Sequence, residues 1–250
     1  MNKKKLNKKT FIQIGITTVL IIGIALLATT TYHKYTEYSI AKSNEIALEK
    51  AQKGLVDFTP TNNHNNKIKD NAYINAQFIC QAPLETVENW ELHEESCEEA
   101  ALLQAYTYET KQNYTKEESN QIILKMLKWQ EDNFGDHHDI YAEEFVDFAS
   151  KFYKIDKSKF KLKHEATIKD IKRAITKGHP VIIGVDSTKL NNPYYAYEGY
   201  HMLLVKGYTK DKIITNDNGT RHGEDFSYTN ESFQAAIDGS EKIAITLELN

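Results

Sequence analysis

The composition of the chain points away from several specialised classes of protein. Its 250 residues include only 2 cysteines and 4 prolines, so at most one internal disulfide can form, and the scarcity of proline favours an ordered domain over a low-complexity chain. The sequence has no internal repeat and no glycine-rich phosphate loop. A formal net charge of −4 gives no overall basic character for binding nucleic acid. We therefore expect one or two globular domains with a sizeable core and no nucleic-acid partner.

Charged side chains are also missing from one long stretch near the N-terminus. Residues 1–10 carry five lysines, and residues 11–28 carry no charge. About 18 such residues are enough for a candidate membrane-spanning helix, and the preceding lysines favour an N-terminus inside the cell. We predict a cytoplasmic basic segment over 1–10 and an uncleaved signal-anchor helix over 11–30, giving a single-pass membrane protein with an extracellular C-terminal domain. A cleaved signal peptide, which would give a secreted protein, is the alternative.

A polar segment separates this stretch from the main domain. Residues 31–71 combine a short helical pattern with an asparagine-rich tract, residues 59–66, which is typical of a stalk and linker. Within residues 72–250, a short strand is predicted over 74–80, helical spacing then dominates as far as Gly178, and β-rich apolar runs follow. This order of elements indicates an α+β domain with a mostly antiparallel sheet.

Cys97 stands at the predicted start of a helix. Ser96 is followed three residues later by Glu99 and then by an apolar run, a pattern that predicts a capping box with Ser96 as the N-cap. Unbonded backbone N–H groups and the helix dipole favour a thiolate at such a position, so Cys97 is a candidate nucleophile. The alternatives are a buried structural cysteine and a disulfide with Cys80.

A candidate base for this thiol lies in the second half of the domain. His201 opens the apolar strand 202–205, and the next predicted strand, 212–215, leads into Asp217. Counting across the intervening turn places His201 and Asp217 roughly level in an antiparallel hairpin, allowing for a bulge. Asp217 could therefore orient the imidazole of His201. A strand-end turn that uses Asp217 only for its own backbone is the alternative.

Several short motifs, taken in order, resemble one family. They are Gln81-Ala82-Pro83, Trp90, Glu95-Ser96-Cys97-Glu98-Glu99-Ala100, Gly199-Tyr200-His201-Met202 and Thr215-Asn216-Asp217. They are similar to bacterial cysteine peptidases related to the bacteriocin-processing, double-glycine-leader peptidases. The resemblance covers residues 72–249 and implies a papain-like α+β fold, with N-terminal helices packed on a mostly antiparallel sheet.

The resemblance also implies a role for each motif. Cys97 would be the nucleophile, His201 the general base and then the general acid, and Asp217 the group that orients the imidazole. Gln81 would donate its side-chain amide to the oxyanion, together with the backbone N–H of Cys97. The substrate would be a peptide or protein, and no metal or organic cofactor is implied.

Two features depart from the family pattern or complicate it. Asn218 stands where the family often has proline, which is expected to loosen the turn. Four glutamates, at positions 94, 95, 98 and 99, crowd the nucleophile and would oppose a thiolate, so its stabilisation would come mainly from protonated His201 and the helix end. Alternatively, these carboxylates recognise a basic or N-terminal amine group of the substrate. An aromatic loop, residues 191–197, could wall a substrate cleft or simply pack on the sheet.

Two other functions remain compatible with these residues. One is a non-catalytic binding module on the same fold, which a Cys80–Cys97 disulfide would favour. The other is an amidase or acyltransferase that acts on cell-wall peptides through the same thioester chemistry.

Overall fold

The computed structural model describes residues 8–56, 67–84, 86–195 and 199–249, without the side chains of residues 8–16. The predicted asparagine-rich tract, 59–66, lies outside the described residues, as do the first seven residues of the predicted basic segment. The chain divides into two units, Met1–Glu45 and Ile46–Asn250.

The first unit consists of most of one long helix. Helix α1 spans Lys8–Gln52 and has 45 residues, so it includes the predicted anchor and the predicted stalk helix. Within the part of the chain that the structure describes, no helix combines the length and the apolar character that a membrane crossing needs. The predicted transmembrane helix is therefore without support from the structure, and its first six predicted residues, 11–16, have side chains outside the described set.

The second unit begins within the last turns of α1. Ala47 and Ala51 are buried and pack in one cluster with Tyr73 and Ile214. The compact unit consequently starts upstream of residue 72, where the sequence suggests that the folded domain begins.

Helices and an antiparallel sheet build the second unit, as predicted. The helices after α1 are α2 Val87–Leu92, α3 Cys97–Thr110, α4 Lys116–Phe134, α5 Ala142–Tyr153, α6 Ile168–Thr176 and α7 Asn230–Asp238. The strands are β1 Ala72–Tyr73, β2 Phe160–Lys163, β3 Val181–Asp186, β4 Tyr200–Tyr208, β5 Lys212–Asn216, β6 Phe226–Thr229 and β7 Ala244–Leu247. Among the described residues the sheet has seven strands in the order β2-β7-β3-β4-β5-β6, with β1 paired to β4, and all these pairings are antiparallel. Helix α3 packs against β4 in the middle of this sheet.

The predicted strand over residues 74–80 is wrong. Strand β1 ends at Tyr73, and residues 74–80 have no regular secondary structure. Side chains take the place of a neighbouring strand there, because the carbonyl of Ala76 accepts from Lys206 Nζ at 2.9 Å and from Asn216 Nδ2 at 3.1 Å. A backbone whose carbonyls are satisfied in this way gains little from strand pairing.

Candidate active site

Cys97 is the first residue of α3, which confirms the predicted helix start. Ser96 is the N-cap, but its side chain makes no capping hydrogen bond, so the predicted capping box is wrong. The Ser96 hydroxyl instead lies 3.1 Å from Nδ1 of the buried His93, whose Nε2 lies 2.8 Å from Asn120 Oδ1. An amide oxygen only accepts, so Nε2 carries the proton and Ser96 donates to Nδ1. The serine therefore fixes the loop before the helix rather than the helix itself.

The Cys97 thiol is buried between α3 and β4. Its side chain is 2% exposed. Sγ accepts a hydrogen bond from the Met202 backbone N–H at 3.3 Å and donates one to Glu98 Oε2 at 3.0 Å. Burial, followed by the neighbouring Glu98 carboxyl, raises the pKa of the thiol well above its ordinary value. No disulfide joins Cys97 to Cys80, both of which lie in the described part of the chain.

His201 and Asp217 are brought together by the β4–β5 hairpin. Leu204 lies opposite Asn216, and a bulge interrupts the register between Val205 and Gly207. Continued by one residue, this register brings position 217 to the level of 203 rather than 201. Positions 201 and 203 face the same side of the strand, so the histidine is still within reach. His201 Nε2 lies 3.0 Å from Asp217 Oδ1, and both side chains are buried.

The Asp217 carboxylate is surrounded by hydrogen-bond donors. Besides His201, these are Gly219 N–H at 3.3 Å, Asn192 Nδ2 at 3.2 Å, Tyr195 OH at 2.7 Å and Tyr228 OH. Burial alone would raise the pKa of Asp217, but the hydrogen bonds and charge of His201, with the tyrosine hydroxyls, outweigh it and lower the pKa. The carboxylate is therefore held ionised and in a fixed position. The bond from Gly219 shows that the predicted strand-end turn is also present.

The sequence does not predict three of these donors to Asp217. Asn192 and Tyr195 belong to the aromatic loop, for which the sequence suggests a cleft wall or packing on the sheet but no contact with Asp217, and Tyr228 lies on β6. The β5–β6 pairing places Tyr228 opposite Ile213, four residues before Asp217. No local pattern links these three segments.

Asn218 joins the Asp217 turn to the start of α3. Its Nδ2 donates to the carbonyl of Cys97 at 2.8 Å, and its own carbonyl accepts from the Gln81 backbone N–H at 3.0 Å. The asparagine in place of the family proline therefore ties the turn to the segment that carries Cys97, instead of simply loosening it.

Gln81 is buried close to the same helix start. Its Nε2 donates to the carbonyls of His93 and Glu94, both at 2.9 Å, and its Oε1 is buried without a hydrogen-bond partner among the described residues. Both amide hydrogens are thus committed to the loop before Cys97. Donation to an oxyanion remains a prediction, and it requires this loop to release the amide.

Cys97 and His201 lie on adjoining elements but do not engage each other. The sulfur is bonded to the N–H of Met202, the residue after His201 in β4. Among the contacts of the described residues, Cys97 Sγ makes no hydrogen bond to the His201 ring. The structure therefore places the sulfur at the backbone N–H that follows His201, with the thiol proton bonded to Glu98.

The glutamates around Cys97 fall into a buried and an exposed pair. Glu98 and Glu99 are each 1% exposed, whereas Glu94 and Glu95 are exposed. Glu98 Oε1 accepts from the Ile140 backbone N–H at 3.0 Å, and Glu99 Oε1 accepts from the Gln130 amide. Burial raises the pKa of Glu98 well above its ordinary value and that of Glu99 to about 7. The negative charge close to the sulfur is consequently smaller than the sequence suggests.

A cavity of about 380 Å³ opens beside His201. Tyr194 and Tyr195 line it, which agrees with the cleft wall, one of the two alternatives for the aromatic loop. Residues 196–197 of this loop lie outside the described set. Trp90 forms another part of the wall, with the Arg221 guanidinium 5.5 Å from its ring centroid. The volume lies within the range of about 300–1,000 Å³ that is usual for ligand sites.

Gly219 is required by the position of the His201 ring. A Cβ at this glycine would lie 2.8 Å from His201 Cε1 and 3.2 Å from Tyr195 Cε1. We expect Gly219→Ala to push the imidazole out of place and to lower kcat/KM for a peptide substrate about 100-fold, because small misplacements of reacting groups are costly. The matched control is Gly199→Ala, where a Cβ would meet nothing within 4 Å. Equal kcat/KM for the two folded variants would contradict the expectation.

A helix that begins at a cysteine and packs against an antiparallel sheet carrying a histidine–carboxylate pair is the arrangement of the papain-like cysteine peptidase fold. A family model confirms the assignment made from the motifs. It matches residues 73–240, and the chain belongs to the Peptidase C39-like family.

One solved structure shows the same fold at low sequence identity, and a second is similar to the chain at a lower score. A proposed C39-like peptidase from Bacillus anthracis is 16% identical, with a TM-score of 0.51, and the match covers 71% of this chain and 98% of that one. Xylellain, a cysteine protease from Xylella fastidiosa, is 14% identical with a TM-score of 0.44, over 77% of this chain and 90% of that one. No curated protein matches the chain.

Proposed function

We propose that this protein is a cysteine peptidase that hydrolyses peptide bonds through Cys97, His201 and Asp217. The observation that carries the proposal is the buried His201–Asp217 pair, at 3.0 Å, beside a cysteine at the start of a helix. Membership of the C39-like family supports the same reaction.

The reaction follows from the hydrogen bonds of the imidazole. Because Nε2 of His201 is bonded to Asp217, Nδ1 is the nitrogen that accepts the thiol proton once the sulfur turns toward it. The thiolate then attacks the scissile carbonyl carbon, and the π electron pair of the C=O bond moves onto the oxygen. The Cys97 N–H at the helix start stabilises the resulting oxyanion. Protonated His201 returns the proton to the leaving amine as the C–N bond breaks, which leaves a thioester on Cys97. Water hydrolyses the thioester and restores the thiol.

The acyl-enzyme gives a direct test of this proposal. The full-length protein is incubated with a defined peptide mixture, with and without hydroxylamine, and the products are identified by mass spectrometry. We expect cleaved peptides without hydroxylamine and peptide hydroxamates with it, because hydroxylamine competes with water for the thioester. Intact peptides under both conditions would refute the proposal. An amidase acting on cell-wall peptides would cleave peptidoglycan fragments in the same assay and leave ordinary peptides intact.

The location of the domain is a further part of the proposal, and it rests on the sequence of residues 1–28 alone. The lysines that precede the uncharged stretch favour an anchored protein with its C-terminal domain outside the cytoplasm. We expect the full-length chain to remain with the membrane fraction of a bacterial host after a carbonate wash. Protease added to intact spheroplasts should degrade the domain. A protein that stays protected, or that is washed free, would contradict the proposed location.

A further inference from the structure

The hydrogen bonds of Cys97 reveal a side chain that the proposed mechanism does not use. Glu98 follows the nucleophile in α3, and its carboxyl bridges two elements. Oε2 accepts from the Cys97 thiol at 3.0 Å, and Oε1 accepts from the Ile140 backbone N–H at 3.0 Å. Both oxygens therefore have a partner. One holds the carboxyl to the loop before α5, and the other holds it to the sulfur.

We propose that Glu98 is a positioning residue that holds the Cys97 thiol, protonated, away from His201 until substrate binding turns the sulfur toward the imidazole. The inference rests on the proposed function. In this resting geometry the sulfur is clamped between the carboxyl and the Met202 N–H, and it has no bond to the base. Rotation about the Cα–Cβ bond of Cys97 breaks both contacts and frees the thiol proton for His201.

We call the contacts of the Cys97 sulfur with the Glu98 carboxyl and the Met202 N–H the clamp. The charges that face Glu98 determine how the clamp responds to pH. Glu99 lies next to it on α3, Asp139 is in the loop before α5, and Tyr200 is on β4. Among the described residues no lysine, arginine or histidine forms an ion pair with Glu98. Its surroundings are therefore acidic or neutral, in keeping with burial and Glu99, which raise the pKa of Glu98.

The order in which the pair loses its protons follows from elementary acidity. A carboxyl is a stronger acid than a thiol by about 4 pKa units, so the Cys97–Glu98 pair loses its first proton from Glu98. The thiolate then has to form beside a carboxylate, and this like charge adds to burial in raising the pKa of the Cys97 thiol. At pH values below the raised pKa of Glu98 the carboxyl is neutral, and this penalty is absent.

Glu98→Gln separates the clamp from ordinary burial. Glutamine keeps an oxygen for the Ile140 N–H but has no negative charge, and its amide donates to the sulfur instead of accepting the thiol proton. The rate of alkylation of Cys97 by iodoacetamide is measured by peptide mapping between pH 5 and pH 9 in the full-length protein. We expect the variant to match the unmodified protein near pH 5 and to react about tenfold or more faster near pH 9.

Two controls make the outcome specific. Glu99→Gln neutralises an equally buried carboxyl that is bonded to Gln130 rather than to sulfur, and it should change the Cys97 rate less than threefold. Cys80, which is also buried, reports unfolding in each variant, because a misfolded protein would react rapidly at both thiols. If Glu98→Gln does not fold, the unmodified protein still offers a test that the proposal can fail, because a Cys97 midpoint at or below that of N-acetylcysteine would exclude a contact that keeps the thiol protonated.

Two results would overturn the proposal. One is an alkylation profile of folded Glu98→Gln that coincides with that of the unmodified protein. The other is a Cys97 midpoint at or below that of N-acetylcysteine in the unmodified protein. Neither depends on peptide hydrolysis, so a protein that cleaves no peptide yet responds to Glu98→Gln would refute the peptidase function and leave the clamp intact.

Discussion

Cys97→Ala should abolish peptide hydrolysis, whereas Cys80→Ala should retain most of it. Only Cys97 stands at a helix start next to the strand that carries His201. Without the sulfur no thioester can form, and the remaining oxyanion and binding contacts give only a small residual rate. Loss of a peptidase nucleophile typically costs on the order of 10⁴-fold or more in kcat. The measurement is kcat for a peptide identified as a substrate, with mass spectrometry to confirm the single substitution.

Cys80 is a stringent control for this experiment. It is the other cysteine of the chain, it is buried, and its thiol lies 3.4 Å from the Asn218 carbonyl near the proposed site. Cys80→Ala therefore tests whether a small change in packing at the same turn impairs hydrolysis. Equal loss of activity in the two variants would mean that the site is sensitive to packing, and it would contradict the role of Cys97 as the nucleophile.

The position of Cys97 was predictable because a helix start has a local signature. An apolar run after Ser96 gives the helix whether or not the serine caps it. The capping box itself failed because a buried histidine at position 93 competes for the serine hydroxyl, and such competition depends on a third segment, at Asn120. Local spacing can place an element but cannot tell which of two nearby groups takes a hydroxyl.

The neighbourhood of His201 was predictable only in part. Alternation along β4 and the length of the hairpin bring Asp217 to the correct face even though the register differs by two residues. The other donors to Asp217 come from a loop and a strand with no periodic relation to it. The burial of Glu98 was also beyond reach, because glutamate is almost never fully buried unless paired, and its partners, the thiol and the Ile140 N–H, come together only in the fold.

Asp217→Asn should lower kcat by about 10²- to 10⁴-fold while the protein remains folded. The substitution keeps the shape of the side chain and an acceptor oxygen, but the imidazolium that forms during the reaction loses its negative partner. The tyrosine hydroxyls of Tyr195 and Tyr228 can turn to accept from the new amide. Steady-state kinetics should show the loss mainly in kcat, and thermal unfolding should show a moderate decrease in stability. Asp238→Asn, in an exposed ion pair with Lys242 at 3.4 Å, is the control and should change neither.

Asp217→Ala is expected to behave differently, because it would unfold or strongly destabilise the domain. Alanine removes the acceptor of the buried Tyr228 hydroxyl and of the partly buried Tyr195 hydroxyl and Gly219 N–H, whereas Asn192 Nδ2 keeps the Tyr228 oxygen at 2.7 Å. Each buried donor left without an acceptor costs about 1–3 kcal/mol. Together these are a large part of the ~5–15 kcal/mol that stabilises a typical domain.

The pKa of Asp217 is lowered in the fold, so the contribution of its carboxylate to stability is present at neutral pH and is lost as the pH falls through that lowered value. The difference in stability between the unmodified protein and Asp217→Asn should therefore shrink in acid.

Full activity of folded Asp217→Asn would remove the orienting role from this carboxylate, and the neighbouring residue could not take it over. The amide of Asn216 donates to the carbonyls of Ala76 and Gln77, at 3.1 and 3.0 Å, on the side of β1. It would have to abandon both carbonyls to reach the imidazole. Because the described residues place no second carboxylate in contact with His201, such a result would mean that the histidine works without a charged partner. The proposed reaction would then depend on Cys97 and His201 alone.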